Sequence, residues 1–282
     1  MQKEAIDQQK KEIENQRDNI KESNVVLEDK NRQITDSIEY AKRIQFSLLP
    51  DTVKLKQVFP SSFFIHLPKD IVSGDFYFLH ENSKSKFIAV ADCTGHGVPG
   101  AFMTVLANSL LHQIMAVGRD LSTDEIIIEL DRKINENLNQ HGISLSPTEG
   151  MDMGLFKIDC DHKVVHFTGA KIPAYHFNQK DIIQVQPDRY SIGGVGNIEK
   201  TFTSKSVQYN PGDYLYLATD GYQDQFGGQN GRKFMKLHFR NLLNEIARLP
   251  FEIQEEKLTT IFNAWKGNNH QTDDVLVMGI RL

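Results

Sequence analysis

The first 49 residues contain neither glycine nor proline, and Pro50 ends the run. A stretch without helix breakers, dense in Lys, Glu, Gln and Asn, restricts the chain there to one long solvated helix or to no fixed structure. Within it Ile6, Ile13, Ile20, Leu27 and Ile34 recur every seven residues. That period keeps one apolar stripe on one side of a helix and favours a left-handed supercoil with a partner. The companion position of each heptad is polar: Gln9, Gln16, Ser23 and Lys30 in one register, Lys10, Arg17, Asn24 and Asn31 in the other. Such a seam is weak alone and specific in register. A solvated single helix or disordered linker competes with this reading, but a homodimer joined by a coiled coil is the expectation. From Ile38 the spacing tightens through Ala41, Ile44 and Leu48, which suits packing on a folded domain. Two parts are expected: residues 1–49 as a helical, regulatory coiled-coil linker and residues 50–282 as one folded domain.

The remaining composition narrows the class. A net charge of −5 leaves no basic excess with which to displace counterions, so nucleic acid is not an expected partner. No apolar run approaches the ~20 residues needed to span a bilayer, so direct membrane insertion is not expected. The charged N-terminus does not read as a signal peptide. Cys93 and Cys160 cannot build a disulfide framework and suit a reducing, cytoplasmic setting.

From Pro50 onward the pattern predicts an α+β fold. Strands are expected near 63–67, 75–79, 86–91, 152–159, 163–169, 173–178, 202–208, 213–219 and 274–281. One helix should follow Pro99, carrying Phe102, Leu106, Leu110 and Ile114. Another opens on Ser122 and Glu125 as a capping box, and a helical block spans 232–266. Hairpin-linked strands with paired helices imply antiparallel sheets covered by helices.

Aspartates stand at the ends of several of these strands, beside glycine or other small residues. Asp75 follows Ser73-Gly74, and Asp92 closes Phe87-Ile88-Ala89-Val90-Ala91. Asp220 closes Tyr214-Leu215-Tyr216-Leu217-Ala218-Thr219, and Asp273-Asp274 precede the last strand. A carboxylate at a buried strand end costs solvation unless something compensates it. Capping a turn is the ordinary compensation at any one of them. Their gathering would need cations, and oxygen ligands without histidine or thiolate suit Mg²⁺ or Mn²⁺. Two such ions sharing a water make a hydrolytic centre.

Ser73-Gly74-Asp75-Phe76-Tyr77, Ala91-Asp92-Cys93-Thr94-Gly95-His96-Gly97-Val98-Pro99-Gly100-Ala101, Thr219-Asp220-Gly221 and Thr272-Asp273-Asp274 resemble, in this order, the motifs of the type 2C (PPM) metal-dependent serine/threonine phosphatases. The resemblance is to their SpoIIE/RsbU branch and covers roughly residues 38–282. The segment Tyr40–Pro50 looks like the lead-in to that catalytic domain. The resemblance implies a β-sandwich of two antiparallel sheets flanked by helix pairs, fed by the N-terminal helix. It implies two divalent metal ions, Mn²⁺ or Mg²⁺, with Asp75 and Asp92 as catalytic metal-binding residues. The backbone carbonyl of Cys93, with Asp220 and Asp273, would complete the ligands. The implied substrate is phosphoserine or phosphothreonine on a regulatory protein, typically an anti-sigma-factor antagonist, and an upstream sensor module is an implied partner. Water rather than a side chain would attack phosphorus, so no phosphoenzyme is expected. A non-catalytic phosphatase-like scaffold and a two-metal nucleotidyl cyclase are the alternatives. The first would lose metal ligands that this chain retains, and the second needs base-recognition loops not found here.

Several residues keep open readings. No arginine stands where eukaryotic type 2C enzymes hold phosphate, leaving Lys69 and Lys171 as weak candidates. Asp152 serves a third ion or, the favoured reading, caps a turn; the role of Asp274 stays open. His96 is adjacent to the site without an assigned role. Cys93 reads as a small buried residue rather than a nucleophile. Ser191-Ile192-Gly193-Gly194-Val195-Gly196 is expected to be a mobile loop near the site. The remaining histidines, His141 among them, show no ligand spacing. Dimerisation through 1–37 is expected to set how 38–49 packs on the domain and so to bias the helix after Pro99.

Overall fold

Helix α1 (Gln2–Leu48) runs as far as the breaker-free segment allows. The computed structural model describes residues 2–139, 150–194 and 199–282, so His141 and the Val195-Gly196 part of the glycine-rich segment lie outside the described residues. The chain forms two compact units, Met1–Ile44 and Gln45–Leu282. In the first, Ile6, Ile13, Ile20, Leu27 and Ile34 are each more than half exposed. The second begins at Gln45, earlier than the Pro50 boundary, because Gln45 and Leu49 are buried within it. Among the described residues no helix is long and apolar enough to cross a membrane.

The second unit opens with α2 (Thr52–Val58), capped by the Asp51 carboxylate on the Lys54 N–H at 2.6 Å. Strands β1 (Ser62–Leu67), β2 (Asp75–Glu81) and β3 (Ser85–Cys93) precede helices α3 (Gly97–Ala116) and α4 (Thr123–Asn139). Then come β4 (Gly150–Asp159), β5 (Val164–Ala170), β6 (Ala174–Phe177), β7 (Ile182–Val185), β8 (Ile192–Gly193), β9 (Lys205–Gln208) and β10 (Tyr214–Ala218). The short α5 (Gly221–Asp224) and the ribbon β11 (Phe226–Gly227) and β12 (Arg232–Lys233) lead to α6 (Lys236–Ile246), α7 (Phe251–Lys266) and β13 (Val275–Arg281).

Two antiparallel sheets result. One has the order β1-β13-β10-β6-β7; the other is β2-β3-β4-β5-β9, with β8 on β4. Side-chain alternation sorts the strand residues into layers. Tyr77, Leu79, Ile88, Val90, Phe156 and Ile158 face Leu215, Leu217, Leu276 and Met278 between the sheets. Phe76, Phe78, Ala89, Ala91 and Cys93 face outward onto α3 and α4. Tyr216, Val275 and Val277 face α6 and α7 across the other side. The fold is therefore the expected α+β sandwich flanked by helix pairs.

Some expectations fail in detail. Residues 232–233 pair in a ribbon instead of starting a helix, and α6 begins only after Met235, which holds φ 78°. Helix α3 begins at Gly97, so Pro99 lies in its first turn, where a missing N–H costs nothing. Phe102, expected in the apolar face, is 70% exposed, and Met103 and Ala107 pack inward instead. The predicted strand at 202–208 starts only at Lys205. Ser122 and Glu125 do meet, the Glu125 carboxylate accepting from the Ser122 N–H at 2.8 Å and hydroxyl at 3.0 Å. Ile192-Gly193 of the expected loop pair with Met151 and Gly150 on β4.

Candidate active site

The antiparallel register sets Asp75 on β2 directly opposite Asp92 on β3, and Asp92 opposite Asp152 on β4. Each shares the parity of the inter-sheet residues on its own strand, so all three side chains project between the sheets at one end. The facing sheet supplies Asp220 just after β10 and Asp273 just before β13 at that same end. A side-chain hydrogen bond reaches Asp75 from the facing sheet there. The Thr219 hydroxyl, which accepts from the Leu276 N–H at 3.0 Å, donates to the Asp75 carboxylate at 2.7 Å.

Close backbone approach explains the glycines beside these acids. A Cβ on Gly74 would meet the Gly95 carbonyl at 2.7 Å and the Cys93 carbonyl at 3.1 Å. A Cβ on Gly221 would lie 1.8 Å from the Asp274 carbonyl. Substitution at either position would push the acidic strand ends apart.

The electrostatics record the crowding. Burial first, then the Asp92 charge, pushes Asp75 well above the usual carboxylate range, against the opposing Thr219 bond. Burial, followed by Asp220, Asp273 and Asp152, raises Asp92 to about 8. Asp220 reaches solvent, yet the protein walls around it, with Asp224 and Asp273, raise it to about 6, and Lys236 opposes the shift. Among the described residues no three acidic, histidine or cysteine side chains already close in ligand geometry. Like charges this near each other repel.

The remaining candidates take different places. Asp274 accepts from the Lys69 N–H and the Gly74 N–H, both at 2.7 Å, and so caps the loop before Asp75. The Asp152 carboxylate faces its acidic neighbours, accepts from the Ser191 hydroxyl at 2.6 Å and lies 3.6 Å from the Lys171 amine. It therefore belongs to the acidic end rather than serving as the turn cap favoured above. His96 Nδ1 lies 2.7 Å from the exposed Asp70 carboxylate. The Cys93 thiol points onto α3, where burial pushes its pKa up, so it cannot act as a thiolate.

Sequence reasoning missed a buried grip behind Asp75. The Gln45 side chain donates to the Ser73 carbonyl at 2.6 Å and accepts from the Ser73 N–H at 3.2 Å. The Thr104 hydroxyl of α3 lies 3.2 Å and 3.1 Å from the Ser73 and Gly74 carbonyls. The Ser73 hydroxyl accepts from the Asp75 N–H at 3.0 Å. Beside the acids, a cavity of about 270 Å³ is lined by Asp92, Asp152, Asp220, Gln223, Lys171 and Lys236, among others.

This two-sheet sandwich flanked by helices is shared with solved PP2C phosphatase domains. It superposes on the SiaA PP2C domain of Pseudomonas aeruginosa with a TM-score of 0.80 and 33% identity, covering 89% of this chain and 98% of that one. RsbX, solved in complex with magnesium, shares the fold at a TM-score of 0.55 and 13% identity, over 78% of this chain and 94% of that one. Residues 82–282 match the family described as Stage II sporulation protein E (SpoIIE). The chain belongs to that SpoIIE/RsbU-like branch of the PPM serine/threonine phosphatases. It is 23% identical over 192 residues to the phosphoserine phosphatase RsbU of Bacillus subtilis (strain 168), covering 67% of this chain. The chain spans about half, 54%, of the length of that relative.

Proposed function

We propose that this chain hydrolyses phosphoserine or phosphothreonine on a regulatory protein, an anti-sigma-factor antagonist being the type of substrate the resemblance implies. The observation that carries the reading is the register that sets Asp75 against Asp92 beneath Asp220 and Asp273 of the facing sheet. The donor set fits two divalent cations, Mn²⁺ or Mg²⁺: hard carboxylate oxygens, and raised pKa values that mark uncompensated negative charge. RsbX, with the same fold, was solved with magnesium. Bound cations would acidify water and offset the negative charge of the phosphoryl group.

In this reading Asp75, Asp92, Asp220, Asp273 and the Cys93 carbonyl would hold the ions. Thr219 keeps one Asp75 oxygen turned toward the facing sheet. Buried aromatic and aliphatic side chains beneath the acids exclude bulk water from the sandwich side. The attacking water and the departing serine oxygen must lie in line across phosphorus, which the open cavity beside Asp92 permits. Residues 1–37 join two copies, and an upstream sensor acts through that helix.

The test is a manganese-dependent phosphatase assay on a phosphoserine peptide, comparing wild type with Asp92→Asn. Turnover that needs the cation and disappears in the variant is expected. A wild type inactive on every phosphomonoester, or a variant as active as wild type, overturns the reading.

A further inference from the structure

The cavity beside the acids is not uniformly anionic. Lys171 and Lys236 line it together with Asp92, Asp152 and Asp220, among glutamines and prolines. Their positions owe nothing to one another in sequence. Lys171 lies in the crossover that carries the chain from β5 in one sheet to β6 in the other. Lys236 opens α6, directly after the β11–β12 ribbon. Both depend on unusual backbone: Lys171 itself holds φ 61°, and Met235, before Lys236, holds φ 78°. A side chain with Cβ in that region is strained, and such strain persists where the surroundings impose it, often at functional sites.

Two other lysines are already engaged. Lys233 pairs with Asp224 at 2.8 Å, and Lys200 pairs with Asp131 at 2.6 Å. The Lys171 amine stands 3.6 Å from Asp152, a loose contact with its side chain 49% exposed. Among the described residues Lys236 has no ion-pair partner. Two amines with spare donors on the wall of an acid-floored cavity match the needs of a phosphate monoester. Its phosphorus must reach the water activated at the acids, while its outer oxygens need cationic donors that do not themselves take up metal ions.

We infer that Lys171 and Lys236 grip the non-bridging oxygens of the substrate phosphoryl group, doing the work that an arginine performs in eukaryotic relatives. The inference rests on the phosphatase reading above and assigns its phosphate contact. The glutamines at 184, 186 and 223, which line the same cavity, offer neutral donors and acceptors to the peptide that carries the phosphate.

The test uses the full chain with Mn²⁺. Inorganic phosphate or a phosphoserine peptide should slow reductive methylation of Lys171 and Lys236, followed by mass spectrometry, and leave the exposed Lys180 and Lys257 unchanged. Lys171→Ala and Lys236→Ala should each raise KM for the phosphoserine peptide, and the inhibition constant of phosphate, about tenfold, the weight of one charge-assisted hydrogen bond. kcat should stay within about threefold, and the double variant should exceed either single one. Lys236→Arg should recover most of the loss. Manganese binding should be unchanged in all variants, which separates phosphate contact from damage to the acids. Lys171→Asn tolerates the same φ without the amine; it should melt near wild type and still show the raised KM. No selective protection, or alanine variants with wild-type KM and phosphate inhibition in an active enzyme, overturns the inference. Loss of activity in the wild type overturns the phosphatase reading instead.

Discussion

At the scale of single residues, Asp92 carries opposed demands. Its folded pKa of about 8 lies far above the unfolded value of about 4, through burial and then the charges of Asp220, Asp273 and Asp152. The folded chain thus keeps a proton that the unfolded chain releases. Its contribution to stability is complete below about pH 4 and is lost as pH rises toward 8. Metal-free protein should therefore melt progressively lower between pH 5 and pH 8 by this group. Asp92→Asn should remove much of that slope and raise the metal-free melting point at pH 8 by at least about 2–4 °C, the equivalent of about 1 kcal/mol in a domain of this size. The same variant should abolish turnover. Calorimetry of both proteins in chelator decides it, and a lower melting point for the variant at pH 8 would contradict the crowding of charge at Asp92. Thr219 makes the complementary case. Thr219→Val keeps the shape and removes the hydroxyl that joins Leu276 to Asp75. Manganese titration should show affinity weakened about 10–100-fold, as when a partner that orients a ligand is removed. Unaltered affinity would leave Thr219 a merely structural bridge.

At the scale of elements, the loop before Asp75 is held from three sides: by Gln45 from the end of α1, by Thr104 from α3 and by Asp274 from the start of β13. The end of α1 is thus part of the wall of the site. A chain beginning at residue 45 should keep this grip, whereas one beginning at residue 50 loses it. Gln45→Ala should cost about 1–3 kcal/mol, because it leaves the buried Ser73 N–H and carbonyl short of partners. Phosphatase activity at limiting manganese should fall in Gln45→Ala and in the 50–282 chain but not in the 45–282 chain. Equal activity in all three would remove any influence of α1 on the site. The longer elements were legible in the sequence because they form continuous apolar runs; β2 and β3 are buried along most of their length. The short ones were not. Ile192-Gly193 become a strand only because β4 offers Met151 and Gly150, and the Arg232-Lys233 ribbon exists only as the partner of Phe226-Gly227. Such pairing is decided by the neighbour and leaves no local period to read. Helix α2, with its Asp51 cap, was too brief to show a stripe.

At the scale of the whole molecule, the acids were legible because each sits at a strand end beside a small residue, a local signal. Their helpers were not, since Gln45 and Ser73 lie 28 positions apart and Thr219 and Asp75 lie 144 apart. Lys236 had no signal at all, its place being set by the ribbon that precedes it. The heptad stripe is the one long-range feature legible in sequence that the globular unit does not use. Ile6, Ile13, Ile20, Leu27 and Ile34 stand more than half exposed on α1, spaced for a partner helix, and their polar companions make the seam weak. Two copies joined along it would bury these side chains, each worth about 1.5–3 kcal/mol when fully removed from water. A concentration-dependent dimer is therefore expected in sedimentation, weakened by the Gln9, Gln16 and Lys30 positions. Ile20→Asp with Leu27→Asp should leave a monomer at all concentrations, because each charge would have to be buried against its own copy. Basal hydrolysis of a small phosphate ester should survive in that variant, since every residue placed at the site lies between Gln45 and Leu282. A wild type that sediments as a monomer throughout would make α1 a solvated single helix and would take the dimer out of any account of regulation.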